Sequence, residues 1–230
     1  MKPVKSEDKA VKGETEPHSH LSPEIKFLGL VEYELTWRAM QQFTAQRTAE
    51  TRDEVWILQH PPTFTQGQAG KPEHLLNAHD IPVIKIDRGG QITFHGPGQI
   101  VVYLLLDLRR WKINVRELVR LMERATIDLL GEYGIVAHGR ENAPGVYVKE
   151  AKIAALGLKI RNGCCYHGFA LNVDVDTTPF SYINPCGYRG LRVTRMKDFS
   201  VDAPTPVIEQ KLAQNLSSLL QQHLQHKNVA

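Results

Sequence analysis

At 230 residues, with 42% hydrophobic and 23% charged side chains, the chain has the composition of a globular protein able to bury a sizeable core, which excludes a disordered one. Twenty-eight Lys and Arg against 25 Asp and Glu leave a formal charge of +3, too mild for a nucleic-acid surface, where basic residues concentrate on one face. The longest apolar run, Ile100 to Leu106, falls well short of the roughly 20 residues that cross a bilayer, so no membrane segment is expected.

Residues 1 to 23 mix Lys2, Lys5, Lys9 and Lys12 with Glu7, Asp8, Glu14 and Glu16 and hold no apolar stretch. They fit neither a signal peptide nor an Arg-rich transit peptide and read as a disordered tail ahead of a single domain over 24–230. Tyr33, Trp37, Met40 and Phe43 then recur at helical spacing and mark a packing face. Val55 to Gln59 reads as a strand stopped by Pro61-Pro62, and the stretch through Thr65-Gln66-Gly67-Gln68 to Lys71-Pro72 reads as loop. Pro82 to Ile86 is a short strand, followed by the run R-G-G-Q-I-T-F-H-G-P-G-Q at 88 to 99 and by Ile100 to Leu106, a strand buried on both faces.

Asn114 with Glu117 three residues on predicts a capping box opening a helix whose Leu118, Leu121, Met122, Ala125 and Leu129 form one stripe, with Gly134 as its stop. Strands are expected at Gly145 to Val148, Lys152 to Ile160 and His167 to Val173. A last helix begins at Pro206 and carries Ile208, Leu212, Leu216, Leu219, Leu220 and Leu224. Several neighbouring strands lack an intervening helix, which predicts an α/β chain of the α+β type: a mixed β-sheet with packed helices rather than a βαβ array.

Cysteines stand only at 164, 165 and 186. A bridge between chain neighbours is strained and three thiols cannot all pair, so the economical setting is a reducing cytoplasm. There is no C-x-x-C, and His74 and His79 are five apart, off one helical face, so no metal site is expected. No G-x-x-x-x-G-K-[ST] occurs, and Gly70-Lys71 runs into Pro72, so the glycine-rich run is no phosphate loop. In Asn184-Pro185-Cys186-Gly187, proline fixes φ before the cysteine and glycine permits a positive φ after it. Such a turn holds a thiol outward for nucleophilic work, and it equally suits a small core cysteine. Gly89, Gly90, Gly96 and Gly98 let backbone approach a ligand closely, although Gly89-Gly90 also fits a plain hairpin turn. Arg189, Arg192, Arg195 and Lys197 read first as a solvated loop, and second as a landing site for acidic protein partners. His95 and His167 rank as binding or structural groups ahead of acid-base catalysts, and Cys164 and Cys165 as packing residues.

Five blocks in order, R-G-G-Q-I-T-F-H-G-P-G-Q (88–99), A-P-G-V-Y-V (143–148), A-K-I-A-A-L-G-L-K-I (151–160), C-C-Y-H-G-F-A-L-N-V (164–173) and I-N-P-C-G-Y (183–188), closely resemble the octanoyl-[acyl carrier protein]:protein N-octanoyltransferases of lipoate biosynthesis. The resemblance implies the fold shared with biotin and lipoate protein ligases. It also implies a reaction in which octanoyl passes from acyl carrier protein to Cys186 as a thioester and then to a lysine of lipoyl domains, the first step of endogenous protein lipoylation. The acceptors implied are the lipoyl domains of 2-oxoacid dehydrogenase complexes and the glycine cleavage H protein. No cofactor, nucleic acid or membrane partner enters that scheme, and the nucleotide-binding signature of ATP-dependent lipoate ligases is not matched. Lys152 occupies the position of the family's catalytic lysine; spacing alone does not separate it from Lys149 or Lys159. An ammonium about 4 Å from a thiolate is worth on the order of 4 kcal/mol at an effective dielectric near 20, before desolvation. The acyl-binding residues carried over are Arg88, Gly89, Gly90, Gln91, Ile92, Thr93, Phe94 and His95, with Ala155, Leu156, Gly157, Gly168, Phe169 and Ala170. The family commonly has serine at the position of Cys165, which argues against an essential role there.

Overall fold

The computed structural model describes residues 22–229. The tail expected over 1–23 therefore lies outside the described residues, apart from Ser22 and Pro23. The main sheet has seven strands in the order β1 (Glu24–Leu30), β2 (Glu54–Gln59), β6 (Gln99–Leu105), β10 (Cys164–Asn172), β9 (Ala151–Arg161), β8 (Gly145–Val148) and β7 (His138–Gly139). Only the β1–β2 pair is parallel. A three-stranded sheet of β4 (Val83–Lys85), β3 (Thr63–Gln66) and β5 (Ile92–His95) stands beside it. This is the mixed sheet with packed helices that the sequence predicts.

The period-2 alternation of β2 and β6 explains the layers. Val55, Ile57, Ile100, Val102 and Leu104 face the core shared with α2 (Val115–Glu132) and α3 (Thr205–Val229). Trp56, Leu58, Val101, Tyr103 and Leu105 face α1 (Tyr33–Gln46) through Met40. Every residue of β6 is buried, as a central strand covered on both sides requires. Asn114 Oδ1 accepts from the Glu117 N–H and Glu117 Oε2 accepts from the Asn114 N–H, both at 2.9 Å, completing the expected capping box. Gly134 takes φ 72 just past α2, and Ile208, Leu212, Leu216, Leu220 and Leu224 are buried along α3.

Strands β1, β3, β5 and β7 depart from the sequence reading, and two of them show why. Thr63–Gln66 is a strand rather than loop, with Thr65 opposite Thr93 in β5 and opposite Ile84 in β4. T-F-T-Q carries a single apolar side chain and follows two prolines, so its signal was that of a breaker. The edge strand β1 was not expected either; Phe27, Leu28 and Leu30 are exposed there, so it lacks the in-out alternation that betrays a half-buried strand.

Candidate active site

Lys152 is the second residue of β9. Its N–H donates to Arg192 O at 2.8 Å and its O accepts from Thr194 N at 3.0 Å, which fixes the backbone. A register shift against β8 skips Ile153, so Ile153 and Ala154 both serve the helix-covered core while Lys152 joins Ala155 and Gly157 along a cavity. A one-residue bulge thus moves the lysine from one face of the sheet to the other. Gly145, opposite, has φ 146; a Cβ there would lie 2.9 Å from Lys152 Cε and 3.1 Å from Nζ, so the missing side chain is the space the lysine occupies.

Cys186 sits in a short 3-10 turn, Pro185–Gly187, closed by Gly187 N to Asn184 O at 2.9 Å and Tyr188 N to Pro185 O at 3.1 Å. The left-handed backbone begins one residue earlier than the sequence implies: Cys186 itself has φ 56 and Gly187 φ 82. A non-glycine residue held there stores strain of the kind found at nucleophile turns. Lys152 Nζ lies 3.0 Å from Cys186 Sγ, 3.2 Å from Pro144 O and 5.1 Å from the Tyr147 ring centroid. Burial presses the ammonium toward neutrality, and attraction to Cys186, its hydrogen bond and Tyr147 outweigh that, leaving Lys152 above its ordinary value.

From this pair a cavity of about 280 Å³ runs along the sheet. Gly157 and Gly168 pair across β9 and β10 in its wall. A Cβ on Gly157 would meet Arg88 Cδ and Gly89 O at 3.1 Å, so glycine there admits the arginine stem. Arg88 is buried, its Nη atoms donating to Gly89 O (2.9 Å), Thr65 O (2.7 Å) and Thr65 Oγ1 (3.0 Å). Thr65 Oγ1 also meets His95 Nε2 at 3.1 Å, His95 Nδ1 meets Gln99 Oε1 at 2.8 Å, and Gln99 Nε2 donates to Asn172 Oδ1 at 2.9 Å. Both His95 nitrogens are therefore occupied, and burial holds the ring well below its usual pKa, as a neutral structural link. Gln91 lies against the cysteine turn, its Cγ 3.1 Å from where a Gly187 Cβ would be, with Oε1 accepting from Lys71 N at 3.0 Å.

Asp87, just before Arg88, accepts from Trp37 Nε1 (2.7 Å), Gln41 Nε2 (3.0 Å), His167 Nε2 (2.9 Å) and the Tyr166 hydroxyl. Its own burial opposes ionisation, but these four donors, His167 foremost, hold the carboxyl far below the usual carboxylate range. His167 is in the left-handed region, φ 61, in the middle of β10, which brings its ring beside Tyr166 where both reach Asp87.

Of the expected residues, Cys186 and Lys152 meet. Arg88, Gly90, Gln91, Ile92, Thr93, His95, Ala155, Leu156, Gly157, Gly168, Phe169 and Ala170 line the cavity. Phe94 does not, since its ring packs on Phe64 and Phe180 with centroids 5.5 Å away in both cases. Gly89 does not either; its N–H donates to Leu158 O at 2.9 Å. Sequence reasoning missed Tyr33, Val101, Tyr103, Asn142, Ala143, Pro144 and Tyr188, which also line it. The first three carry core-like patterns, and only Ala143-Pro144 and Tyr188, lying in the quoted blocks, offered a signal. Cys164 and Cys165 are buried. Arg195 and Lys197 are paired with Asp174 and Asp198, while Arg189 and Arg192 are exposed near the cysteine turn.

Residues 32–217 match the family described as the lipoyl protein ligase A/B catalytic domain. The octanoyltransferase of Nitrosomonas europaea is 64% identical over 196 residues, covering 85% of this chain and 96% of its own. That of Dechloromonas aromatica is 61% identical over 208 residues, covering 90% and 100%. Among solved structures, a putative lipoate protein ligase from T. acidophilum superposes with a TM-score of 0.72 at 17% identity, covering 87% of this chain and 86% of that one. A biotin protein ligase from Aquifex aeolicus does so at 0.57 and 14%, covering 86% and 70%. These two likenesses concern the fold.

Proposed function

We propose a mechanism from one premise: the chain belongs to the lipoyl protein ligase A/B catalytic-domain family, and its sequence stands with the octanoyltransferases. The activity is octanoyl transfer for protein lipoylation, with an acyl carrier as donor and lipoyl domains as acceptors. The observation that carries the residue assignment is the 3.0 Å contact of Lys152 Nζ with Cys186 Sγ at one end of a partly apolar slot.

In the first half-reaction Cys186 Sγ, paired with the Lys152 ammonium, attacks the carrier thioester carbonyl. The carrier sulfur leaves and takes its proton from Lys152 Nζ. In the second, the incoming lysine amine attacks the enzyme thioester, the now neutral Lys152 accepts the amine's proton, and Cys186 Sγ leaves as thiolate. One thioester replaces another and then becomes an amide, so the sequence runs downhill without nucleotide. The N–H groups of Gly187, Tyr188 and Lys152 are engaged by Asn184, Pro185 and Arg192 carbonyls. We assign charge on the tetrahedral oxygen to the Lys152 ammonium, with the Cys186 N–H and the Gln91 amide beside the turn as further donors.

We take 24–230 as one catalytic domain acting in the cytoplasm. The acceptors are the lipoyl domains of 2-oxoacid dehydrogenase complexes and the glycine cleavage H protein. Exposed Arg189 and Arg192 near the turn suit acidic protein partners arriving at the thiol. The test is intact mass after incubation with octanoyl acyl carrier protein: one octanoyl adduct, mapping to Cys186, discharged by adding a lipoyl domain. An adduct on Cys164 or Cys165, or transfer with no adduct at all, sinks the assignment.

A further inference from the structure

The register of the main sheet arranges the slot in rows. Gly145, Ala155, Ala170 and Val101 stand abreast across β8, β9, β10 and β6, and Gly157, Gly168 and Tyr103 form the next row. Lys152 Cε and Nζ lie 2.9 and 3.1 Å from where a Gly145 Cβ would be, and Cys186 Sγ is 3.0 Å from Nζ, so the reacting pair sits at the first row. The Arg88 stem covers Gly157, which leaves Ala170 and Gly168 as the open way toward β6. From Ala155 to Tyr103 is one row on and two strands across, about 7 Å by about 10 Å, or about 12 Å between Cα atoms. An extended eight-carbon chain, with bonds of about 1.5 Å, spans roughly 10 Å, so its end comes up against the Tyr103 ring.

Two tyrosines stand there. Tyr103 and Tyr33, the first residue of α1, are buried and both line the cavity, and their hydroxyls share a hydrogen bond. The Tyr33 ring stacks on His95, centroids 5.4 Å apart, and is 4.7 Å from the His60 ring. His60 also meets the Tyr103 hydroxyl at 2.7 Å and does not line the cavity, so it backs the two rings from behind. Among the described residues, none of β2, the next strand past β6, lines the cavity either. Both rings are thus held by packed neighbours, and a longer chain meets a wall that moves only at a cost.

Resting on the octanoyltransferase reading, we propose that the Tyr33 and Tyr103 rings end the slot and set the length of the acyl group that is transferred. Eight carbons fill the distance from Cys186 to the rings, and each further methylene has to displace one of them. The tyrosines meet the distal carbons and stand away from Cys186 and Lys152, so they govern which chain fits rather than the bonds that change.

The test compares carrier protein loaded with octanoyl and with decanoyl, in wild type and in Tyr33→Ala, Tyr103→Leu and Tyr33→Phe. The readout is the ratio of kcat/KM for decanoyl to that for octanoyl in each protein, which cancels any general loss of folded enzyme. Wild type should give a ratio below one, because two more methylenes overpack the end of the slot. Truncating a ring, in Tyr33→Ala or in Tyr103→Leu, should raise that ratio about fivefold or more, the low end of an overpacking cost. Tyr33→Phe keeps the ring and loses only the hydroxyl, so its ratio should rise by less than that factor. A wild-type ratio of one or more, a ratio that neither truncation raises by that factor, or one that Tyr33→Phe raises as far, overturns the proposal. Failure of wild type to transfer octanoyl would instead refute the reaction itself.

Discussion

Gly145→Ala isolates the contact on which the chemistry depends, because the added methyl invades the space of the lysine rather than of substrate. Its Cβ would stand 2.9 Å from Lys152 Cε and 2.9 Å from Ala154 O, against ordinary contacts of about 3.5–4.0 Å. The end of the lysine yields to one contact, and a small shift of the β8 backbone relieves the other. Retreat of Nζ by about 1 Å from its 3.0 Å contact lowers the attraction between an ammonium and a thiolate from about 5.5 to about 4.2 kcal/mol at a dielectric of 20, a difference worth close to tenfold in a rate that depends on the pair. Alkylation of Cys186 by iodoacetamide should slow, by no more than about that factor. Transfer kcat/KM should fall at least about tenfold, since the ammonium is misplaced for both half-reactions. The positive φ and the Ala154 O contact add backbone strain that does not depend on the lysine, so each rate is measured again in Lys152→Ala, where Cε and Nζ are gone. If Gly145→Ala slows Cys186 alkylation by the same factor in both backgrounds, or not at all in the first, the lysine is not what the glycine makes room for.

Cys186→Ala should abolish adduct and transfer, while buried Cys164→Ser and Cys165→Ala keep most activity; peptide mapping of the octanoyl adduct decides. Lys152→Arg should fold and transfer poorly, because guanidinium does not give up a proton in the second half-reaction; restored single-turnover discharge to a lipoyl domain would refute that role. A donor two methylenes shorter than octanoyl should lose about 1.6 kcal/mol, roughly fifteenfold in kcat/KM, and palmitoyl should hardly react; a profile flat from six to sixteen carbons contradicts the slot. His60 is held down to about 4 by burial, against the Val31 hydrogen bond, so its contribution to stability is complete above pH 6.5 and lost as pH falls toward 4. That loss is about 3 kcal/mol, and urea unfolding of His60→Gln should show a smaller fall between pH 7 and 4 than wild type.

Elements with strong local chemistry were legible in the chain: the capping box at Asn114, the stripe of α3, the doubly buried β6. Each is fixed by neighbours within a turn or by simple period. Elements held by tertiary pairing were not, and β3 shows why. Its threonines are buried because Thr65 ties Arg88 and His95 together, a role invisible in a four-residue segment after two prolines. The distal slot is legible still less, since Tyr33, Tyr103 and His167 come from a helix and two strands and each sits in a stretch that reads as core. Lys152 makes the point most sharply. Counting alternate residues back along β9 from Leu158, Leu156 and Ala154, all packed on the core under the helices, puts Lys152 on that same face. An unpaired ammonium there would be intolerable, so the pattern by itself argues against a lysine in this strand. The bulge at Ile153 resolves the conflict by turning the lysine to the cavity, and Cys186, held in a strained turn from a segment 34 residues later, supplies the partner that lets it stay charged. Neither feature stabilises the fold alone; a bulge and a left-handed cysteine are both local costs, and their coincidence within 3.0 Å is what a nucleophile and its cation require.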